Sequence, residues 1–217
     1  MGLKLKYRSK KGAQNDHIKN YRSDAIAKGK GTPQSRDFYR YMWVLDQTPE
    51  NSIVLDIGCN TGLFAIPLQE KKNCYVRGID IVPELVEKAK KRGVRAEVGE
   101  AENLSQFENN KFDVVLCCEV LEHLFNPMHA ISEIHRVLKV GGKLIVTVPH
   151  PLSQICDSLG DFHHQNFTGE SLFNLMFSKF KEGDVLYNEM PFNENYCNEM
   201  GISISAPQYL GLEAYKK

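Results

Sequence analysis

Val54-Leu55-Asp56-Ile57-Gly58-Cys59-Asn60-Thr61-Gly62 is the stretch that decides the fold of this chain. An apolar run leads into a turn bounded by Gly58 and Gly62, and a helical pattern follows the second glycine. In open α/β folds, a strand that enters such a turn places it at the carboxyl edge of a parallel sheet, where ligands bind. The stretch therefore predicts an α/β fold with a ligand site at this turn.

Apolar runs and helical patterns alternate along the rest of the chain. The expected strands cover residues 53–57, 75–79, 94–98, 112–118, 143–148, 185–190 and 208–215. The expected helices cover residues 35–47, 63–71, 83–92 and 127–138, and one more follows Thr168. Short strands separated by helices predict right-handed βαβ units and a parallel sheet.

Two of these helices have a clear start. Asn126 is expected to cap a helix whose first residue is Pro127, and Gly141-Gly142 is expected to form the turn into the next strand. Thr168 is expected to cap the later helix. The residues expected on their inward faces are Met128, Ile131, Ile134 and Leu138 in the first helix, and Leu172, Phe173, Met176, Phe177 and Phe180 in the second.

Composition indicates one globular domain of 217 residues, of which 42% are hydrophobic. The six cysteines include no Cys-x-x-Cys pair, so we expect neither a zinc ribbon nor a disulfide framework. The chain has no signal-peptide pattern and no apolar run near the roughly 18 residues that a membrane helix needs. We therefore expect a soluble, cytoplasmic protein.

Charge is distributed unevenly, although the formal net charge is zero. Residues 1–31 hold nine Lys or Arg and two Asp, so this stretch is at +7 and the remainder at −7. We expect residues 1–34 to be a basic, partly flexible leader, and residues 35–217 to be the domain. The leader is either a solvated segment or an arm that steers an anionic substrate or RNA.

The glycine turn does not suit a dinucleotide or a triphosphate. A pyrophosphate needs glycine at the position of Asn60, and no Gly-Lys-Ser/Thr ends the loop. Asp80 follows the second strand, 18 residues after Gly62, where a carboxylate can bind two ribose hydroxyls or cap the next helix. The pattern favours a nucleoside without phosphates.

The stretch from Val54 to Gly62 resembles motif I of class I, Rossmann-like S-adenosyl-L-methionine methyltransferases, and the resemblance spans residues 52–149. Three further segments resemble later motifs of that family: Gly99-Glu100-Ala101-Glu102-Asn103-Leu104, Phe112-Asp113-Val114-Val115-Leu116-Cys117-Cys118-Glu119-Val120-Leu121-Glu122-His123-Leu124 and Arg136-Val137-Leu138-Lys139-Val140-Gly141-Gly142-Lys143-Leu144. The resemblance implies a three-layer sandwich with a seven-stranded, mostly parallel sheet of order 3-2-1-4-5-7-6, its last strand antiparallel.

The resemblance also assigns the cofactor site, with residues 150–217 on the substrate side. The cofactor is S-adenosyl-L-methionine, and the product is S-adenosyl-L-homocysteine. The residues implied to contact the cofactor are Asp56, Gly58, Cys59, Asn60, Gly62, Asp80, Ile81, Glu100, Ala101, Cys117 and Glu119.

Histidines are the candidate catalytic residues, because a hydroxyl acceptor must lose a proton and imidazole titrates near neutrality. The candidates are His123, His150 and His164, with His163 as a further substrate contact. Cys117 and Cys118 are expected to be small buried residues, because an activated methyl donor needs no cysteine nucleophile.

Glu119-x-x-Glu122-His123 is a possible divalent metal site, because a helical turn would bring these side chains to one side. The motif resembles those of ubiquinone-pathway O-methyltransferases and of small-RNA 3′-terminal 2′-O-methyltransferases, which hold a divalent ion. His150, His163 or His164 could complete it. Many small-molecule methyltransferases have a similar motif without metal.

The sequence therefore predicts a methyltransferase that acts on a hydroxyl, or less readily an amine or carbon, of a small molecule or saccharide precursor. We expect a monomer or homodimer. Two alternatives remain. The first is a metal-dependent RNA 2′-O-methyltransferase that uses the basic leader, although the net negative charge of the rest of the chain argues against RNA binding. The second is a cofactor-binding but inactive partner subunit.

Overall fold

The structure is a computed structural model, and it describes residues 38–151, 163–181, 184–190 and 209–217. The helices are α1 (Phe38–Gln47), α2 (Ala65–Lys72), α3 (Pro83–Lys91), α4 (Pro127–Val137) and α5 (Gly169–Phe177), with a short 3-10 helix at Leu121–His123. The strands are β1 (Ile53–Ile57), β2 (Tyr75–Asp80), β3 (Arg95–Val98), β4 (Phe112–Cys118), β5 (Leu138–Pro149), β6 (Val185–Met190) and β7 (Tyr209–Tyr215).

The seven strands form one sheet in the order β3-β2-β1-β4-β5-β7-β6, as the resemblance implied. The first five strands pair in parallel, whereas β7 is antiparallel to both β5 and β6. Residue Tyr209 at the start of β7 pairs with Pro149 at the end of β5 and with Met190 at the end of β6. The carboxyl ends of the parallel strands and the start of β7 therefore meet at one edge.

Helices cover both faces of the sheet, because alternate strand residues point to opposite sides. On one face, β1 residues Leu55 and Ile57 share a core with α4 and α5. On the other face, Val54 shares a core with α1, α2 and α3. Each fully buried Leu or Ile contributes about 2 kcal/mol through the apolar area that it removes from water.

Helix α1 is tied to the sheet through its carboxyl-terminal end. The Lys143 ammonium on β5 donates to the carbonyl oxygen of Gln47 at 2.9 Å. The same ammonium lies 2.7 Å from the Glu213 carboxylate on β7, in a largely buried pair. This contact fixes α1 against β5 and β7.

The sequence predicts β1, β4 and β6 with the observed bounds, and most other elements to within two residues. Strand β5 is the exception, because it begins at Leu138 instead of residue 143. Gly141, with φ of 80°, does not break the strand: the pairs Phe112–Leu138 and Val114–Lys143 enclose a bulge that absorbs the glycines. The expected turn is a bulge within one strand.

The expected caps are confirmed, and two expected core residues are not. The Asn126 side chain accepts from the His129 amide, and Thr168 forms a capping box with Ser171. Met128 is 55% exposed, because the buried side of α4 begins at Ala130, and Phe177 is 38% exposed at the end of α5. Phe180 and Leu172 are buried as expected.

The expected leader, residues 1–34, lies outside the described residues. Within the part that the structure describes, every helix is too short or too polar to cross a membrane.

Candidate functional site

The turn after β1 is held against the end of β2 by backbone hydrogen bonds. The amides of Gly58 and Cys59 both donate to the Ile79 carbonyl, at 2.8 and 2.9 Å. Gly58 and Gly62 have φ of 71° and 90°, a region that favours glycine. A Cβ on Gly58 would lie 2.6 Å from Val120 Cγ2, so the turn also packs directly on the segment after β4.

Asn60 takes the left-handed conformation that asparagine tolerates, with φ of 52°. Its side-chain oxygen accepts from the Thr61 amide at 2.7 Å. The neighbouring Cys59 side chain is buried against Gly78, where a Cβ would lie 2.7 Å from the Cys59 sulfur. Cys59 therefore has a packing role, and its backbone forms part of the turn.

Asp80 joins the glycine turn to the start of α3. Its Oδ2 accepts from the Asn60 amide at 2.9 Å, and its Oδ1 accepts from the Val82 amide at 2.9 Å. Burial raises the pKa of the carboxyl, and these amide hydrogen bonds oppose the rise. Each oxygen retains a second lone-pair direction with which a ribose hydroxyl could bond.

Asp56 lies at the same edge and is 1% exposed. Its Oδ2 has no hydrogen-bond partner among the described residues. Burial, and then the nearby Asp80 charge, raises the pKa of Asp56 to about 8. A buried polar atom without a partner is uncommon in native folds and points to a group that binds there.

Three further residues that the resemblance implies as cofactor contacts, Ile81, Glu100 and Ala101, follow β2 and β3. Ile81 is half-buried, Ala101 is buried and Glu100 is exposed. The Gly99 amide donates to the Asp80 carbonyl at 3.1 Å, so the loop after β3 begins next to the ribose candidate. The structure brings these residues to one side of the glycine turn.

Glu102 is a site residue that sequence reasoning missed. Its Oε1 accepts from the amides of Phe125 and Asn126, at 3.1 and 3.2 Å, and the residue is buried. It thereby joins the loop after β3 to the loop after β4. Its place next to Glu100 and Ala101 in the sequence was the available signal.

Glu119 directly follows β4 and has φ of 56°, which is unusual for a residue other than glycine. Its Oε1 accepts from the Thr147 hydroxyl at 3.0 Å and lies 3.8 Å from the Arg40 guanidinium. This backbone conformation directs the carboxylate toward β5. The ligand atoms that converge nearby belong to Glu122, His123 and His163, whereas Thr147 and Arg40 are the neighbours of the Glu119 carboxylate.

Arg40 on α1 is the second residue that sequence reasoning missed. It is 5% exposed, and its guanidinium lies 4.7 Å from the centroid of the Tyr209 ring. A single cation within the apolar stretch Phe38-Tyr39-Arg40-Tyr41-Met42-Trp43 was the signal in the sequence. The fold places this charge where β4, β5 and β7 meet.

Glu122, His123 and His163 come together, with one ligand atom of each within 4.8 Å of the others. Glu122 is 2% exposed, and neither carboxylate oxygen has a hydrogen-bond partner in the described part of the chain. Burial, and then the Glu119 charge, raises the pKa of Glu122 well above its usual range. Carboxylate and imidazole ligands fit several divalent ions.

The segment after β5 packs on the 3-10 helix. The amides of His164 and Gln165 donate to the Glu122 carbonyl at 2.8 and 3.0 Å. His164 is exposed and stacks on Phe125 with ring centroids 4.4 Å apart, while His150 is buried at the end of β5. A small cleft next to this contact is lined by Glu122, Val148, Pro149, Pro151, His163, Gln165, Asn166 and Phe167.

The paired cysteines are buried as expected and face opposite cores. Cys117 packs in the α4 and α5 core, and Cys118 in the α1, α2 and α3 core. Burial raises the pKa of Cys118 to about 12, so its thiol is neutral at physiological pH. The Cys117 side chain is fully buried, so only its backbone is available at the edge.

These residues fit S-adenosylmethionine. The Asp56 Oδ2, which has no hydrogen-bond partner among the described residues, suits the cofactor's positively charged amino group, and the Asp80 carboxylate suits the ribose hydroxyls. The glycine turn offers a close backbone approach without a pyrophosphate cradle.

Comparisons with known proteins find methyltransferases that are similar to this chain. Residues 55–146 match a protein family described as "Methyltransferase domain". An S-adenosylmethionine-dependent methyltransferase of Thermotoga maritima superposes with a TM-score of 0.71 at 23% identity, over 94% of this chain and 99% of that one. Another from Archaeoglobus fulgidus gives 0.65 at 18% identity, over 95% and 96%.

Curated relatives match only the central part of the chain. A ubiquinone biosynthesis O-methyltransferase of Xanthomonas oryzae is 36% identical over 100 residues, which is 43% of this chain and 41% of that protein. An uncharacterised protein of Methanocaldococcus jannaschii is 40% identical over 94 residues, 43% of each. The chain therefore matches about two fifths of the length of these relatives.

The seven-stranded sheet and its strand order are those of the class I, Rossmann-like S-adenosylmethionine-dependent methyltransferases with which the chain superposes. Within this fold, residues 55–146 match the family of methyltransferase domains.

Proposed function

We propose that this protein transfers the methyl group of S-adenosyl-L-methionine to a hydroxyl group of a small molecule or saccharide precursor. One observation carries the proposal. The buried Oδ2 of Asp56 has no hydrogen-bond partner among the described residues, and it lies beside a glycine turn that Asp80 holds by a hydrogen bond. Similarity to ubiquinone biosynthesis O-methyltransferases supports oxygen as the acceptor atom.

The cofactor supplies a methyl group on a sulfonium: the acceptor oxygen's lone pair forms the new O–C bond, and the electron pair of the broken S–C bond stays on sulfur. The chain's own task is to align the acceptor and receive its proton. His163 lines the cleft, and burial, followed by the nearby His164, lowers the pKa of its imidazole. A neutral imidazole at pH 7 can accept the hydroxyl proton.

The other candidate bases differ in their surroundings. His123 lies beside His163, with ring centroids 5.0 Å apart. His150 is buried at the end of β5, and His164 is exposed on the outer side of Phe125. We therefore rank His163 and His123 above His150 and His164 for proton transfer, and we assign His164 to the rim.

Calorimetry tests the cofactor assignment. Wild-type protein is expected to bind S-adenosylhomocysteine, whereas Asp80→Ala is expected to bind it at least about tenfold more weakly, since both ribose hydrogen bonds are lost. Preferential binding of a nicotinamide nucleotide would refute the proposal.

A screen with methyl-labelled cofactor tests the transfer. Free sugars, nucleotide sugars, phenols and short RNA are the acceptors to compare. Label in a phenol or sugar supports the proposal, and label in RNA alone would favour RNA 2′-O-methylation. Cofactor binding without transfer to any acceptor, restored by a second protein, would instead identify a partner subunit.

A metal-assisted version of the same reaction is the second candidate. The convergence of Glu122, His123 and His163 supports it, because an ion there could lower the pKa of an acceptor hydroxyl. Titration with Mg²⁺, Mn²⁺ and Zn²⁺ is expected to give one site that His163→Ala abolishes. Full transfer in excess chelator would exclude this version.

A further inference from the structure

We infer that Glu102 is a positioning residue that couples cofactor binding to the placement of residues 163–165. The inference rests on the proposed function, because it takes Glu100 and Ala101 as cofactor contacts. It gives the loop after β3 a second task. A cofactor bound on one side of this loop sets the position of candidate proton acceptors on the other side.

A tight turn joins Glu102 to the expected cofactor contacts. The Asn103 amide donates to the Glu100 carbonyl at 3.0 Å, so residues 100–103 form one hydrogen-bonded turn. Within it, Glu102 directly follows Ala101, and both residues are buried. A hydrogen bond between the first and fourth residues holds a turn in one geometry. A cofactor that contacts Glu100 and Ala101 would therefore also fix the backbone of Glu102.

The Glu102 carboxylate crosses from this turn to the loop after β4. Its Oε1 accepts from the Phe125 amide at 3.1 Å and from the Asn126 amide at 3.2 Å. A hydrogen bond accepted by a carboxylate is about twice as strong as one between neutral groups. Because Asn126 caps α4, these two hydrogen bonds fix the place where the helix starts.

The contacts continue from Phe125 to residues 163–165. The Phe125 ring stacks on that of His164, with ring centroids 4.4 Å apart. The amides of His164 and Gln165 donate to the carbonyl of Glu122, which belongs to the same loop as Phe125, at 2.8 and 3.0 Å. A contiguous series of hydrogen bonds and packed rings can carry energetic coupling between two sites. Residues 163–165 thus rest on the loop that Glu102 holds.

Glu133 provides a matched control, because it also joins the loop after β3 to α4. Its Oε2 accepts from the Leu104 amide at 3.0 Å, and its carboxylate pairs with Arg136 at 2.7 Å. This contact lies at the middle of α4, away from the amides of Phe125 and Asn126. Weakening it loosens the same loop without releasing the start of the helix.

Hydrogen exchange, followed by NMR with and without excess S-adenosylhomocysteine, tests the coupling in the full chain. In the wild type we expect slower exchange of the Gly58 and Cys59 amides in the glycine turn, and about tenfold slower exchange of the His164 and Gln165 amides. Slowing confined to the glycine turn would overturn the inference and leave the proposed function intact. Absence of any slowing would count against the proposed function itself, and the inference would fall with it.

Conservative variants separate the reach of the side chain from its charge. Glu102→Gln keeps an oxygen acceptor at the same reach, so it is expected to retain the slowing at His164 and Gln165. Glu102→Asp keeps the charge but is one methylene shorter, so it is expected to lose that slowing while the glycine turn still responds. Glu133→Asp makes the same change at the control position and is expected to behave as the wild type. The inference is overturned if Glu102→Asp keeps the slowing, or if Glu102→Gln or Glu133→Asp loses it.

Discussion

At the scale of single residues, Asp56 is the most informative side chain, because it is a buried acid whose pKa is raised to about 8. In the unfolded chain the same carboxyl titrates near its usual value of about 3.9. The folded protein therefore holds one more proton than the unfolded chain between these two values. As a result, the contribution of Asp56 to stability falls as pH rises from about 4 to 8, by up to about 1.4 kcal/mol per pH unit.

Cofactor binding is expected to release this proton. Near pH 7 the free protein holds Asp56 protonated, and a positively charged amino group beside it would favour the ionised form. Calorimetric titration with S-adenosylhomocysteine in buffers of different ionisation enthalpy measures the release. Asp56→Asn removes the titrating group, so its binding heat is expected to be independent of buffer. Release of the same size in that variant would assign the proton to another group.

Gly58 offers a second test at this scale, with Gly93 as the matched control. Both have positive φ, but a Cβ at Gly93 would have nothing within 4 Å, whereas at Gly58 it would meet Val120. Gly93→Ala is expected to cost about 1 kcal/mol through backbone strain alone, and Gly58→Ala about 2–4 kcal/mol. Denaturant unfolding measures both. Only Gly58→Ala is expected to lose cofactor affinity, and similar losses in the two variants would contradict the packed turn.

At the scale of elements, α1 is held by the Arg40–Glu119 ion pair near its start and by the hydrogen bond from Lys143 to the Gln47 carbonyl at its end. Arg40→Met would remove the cation that lies 3.8 Å from the Glu119 carboxylate and is expected to lower the free energy of unfolding by about 2 kcal/mol. Lys90→Met removes the exposed pair with Glu87 and is expected to leave the free energy of unfolding nearly unchanged, because solvent screens the pair. A double-mutant cycle of Arg40→Met with Glu119→Gln measures the coupling, and a value near zero would exclude the pair as an anchor.

The elements themselves were largely predictable from the sequence. Local signals such as the Asn126 and Thr168 caps, and the apolar runs of β1 and β4, specify where an element begins and ends. The start of β5 was not predictable, because it depends on pairing between Leu138 and Phe112 across the sheet. Strand order came from family resemblance, since periodicity carries no information about which strands are neighbours.

The contacts among the residues expected to bind the cofactor were predictable, and those around Arg40 and Glu119 were not. Gly58, Asn60 and Asp80 lie in one short-range pattern, and their mutual hydrogen bonds follow from it. Arg40 was missed because its partners, Glu119 and Tyr209, are distant in the sequence. The conformation of Glu119 likewise depends on Thr147 of a neighbouring strand.

At the scale of the whole molecule, two truncations test the domain boundary. Removal of residues 1–34 is expected to leave cofactor affinity and thermal stability nearly unchanged. Removal of residues 1–47 also deletes α1 and with it Arg40, Val44 and Leu45, each at most 9% exposed. Loss of each buried apolar side chain costs about 1.5–3 kcal/mol, so this shorter chain is expected to unfold at lower temperature or fail to fold. Equal melting temperatures for the two truncations would mean that α1 is dispensable.

The position of β7 between β5 and β6 has a consequence for biosynthesis. The ribosome makes β5 and β6 before β7, yet neither can pair with the other, because β7 separates them. Until residues 209–215 emerge, the edge of β5 stays open and the places of Leu210 and Leu212 in the core remain empty. Until β7 is made, the nascent chain thus exposes an unpaired apolar strand, and chaperones that shield such edges would act in this interval.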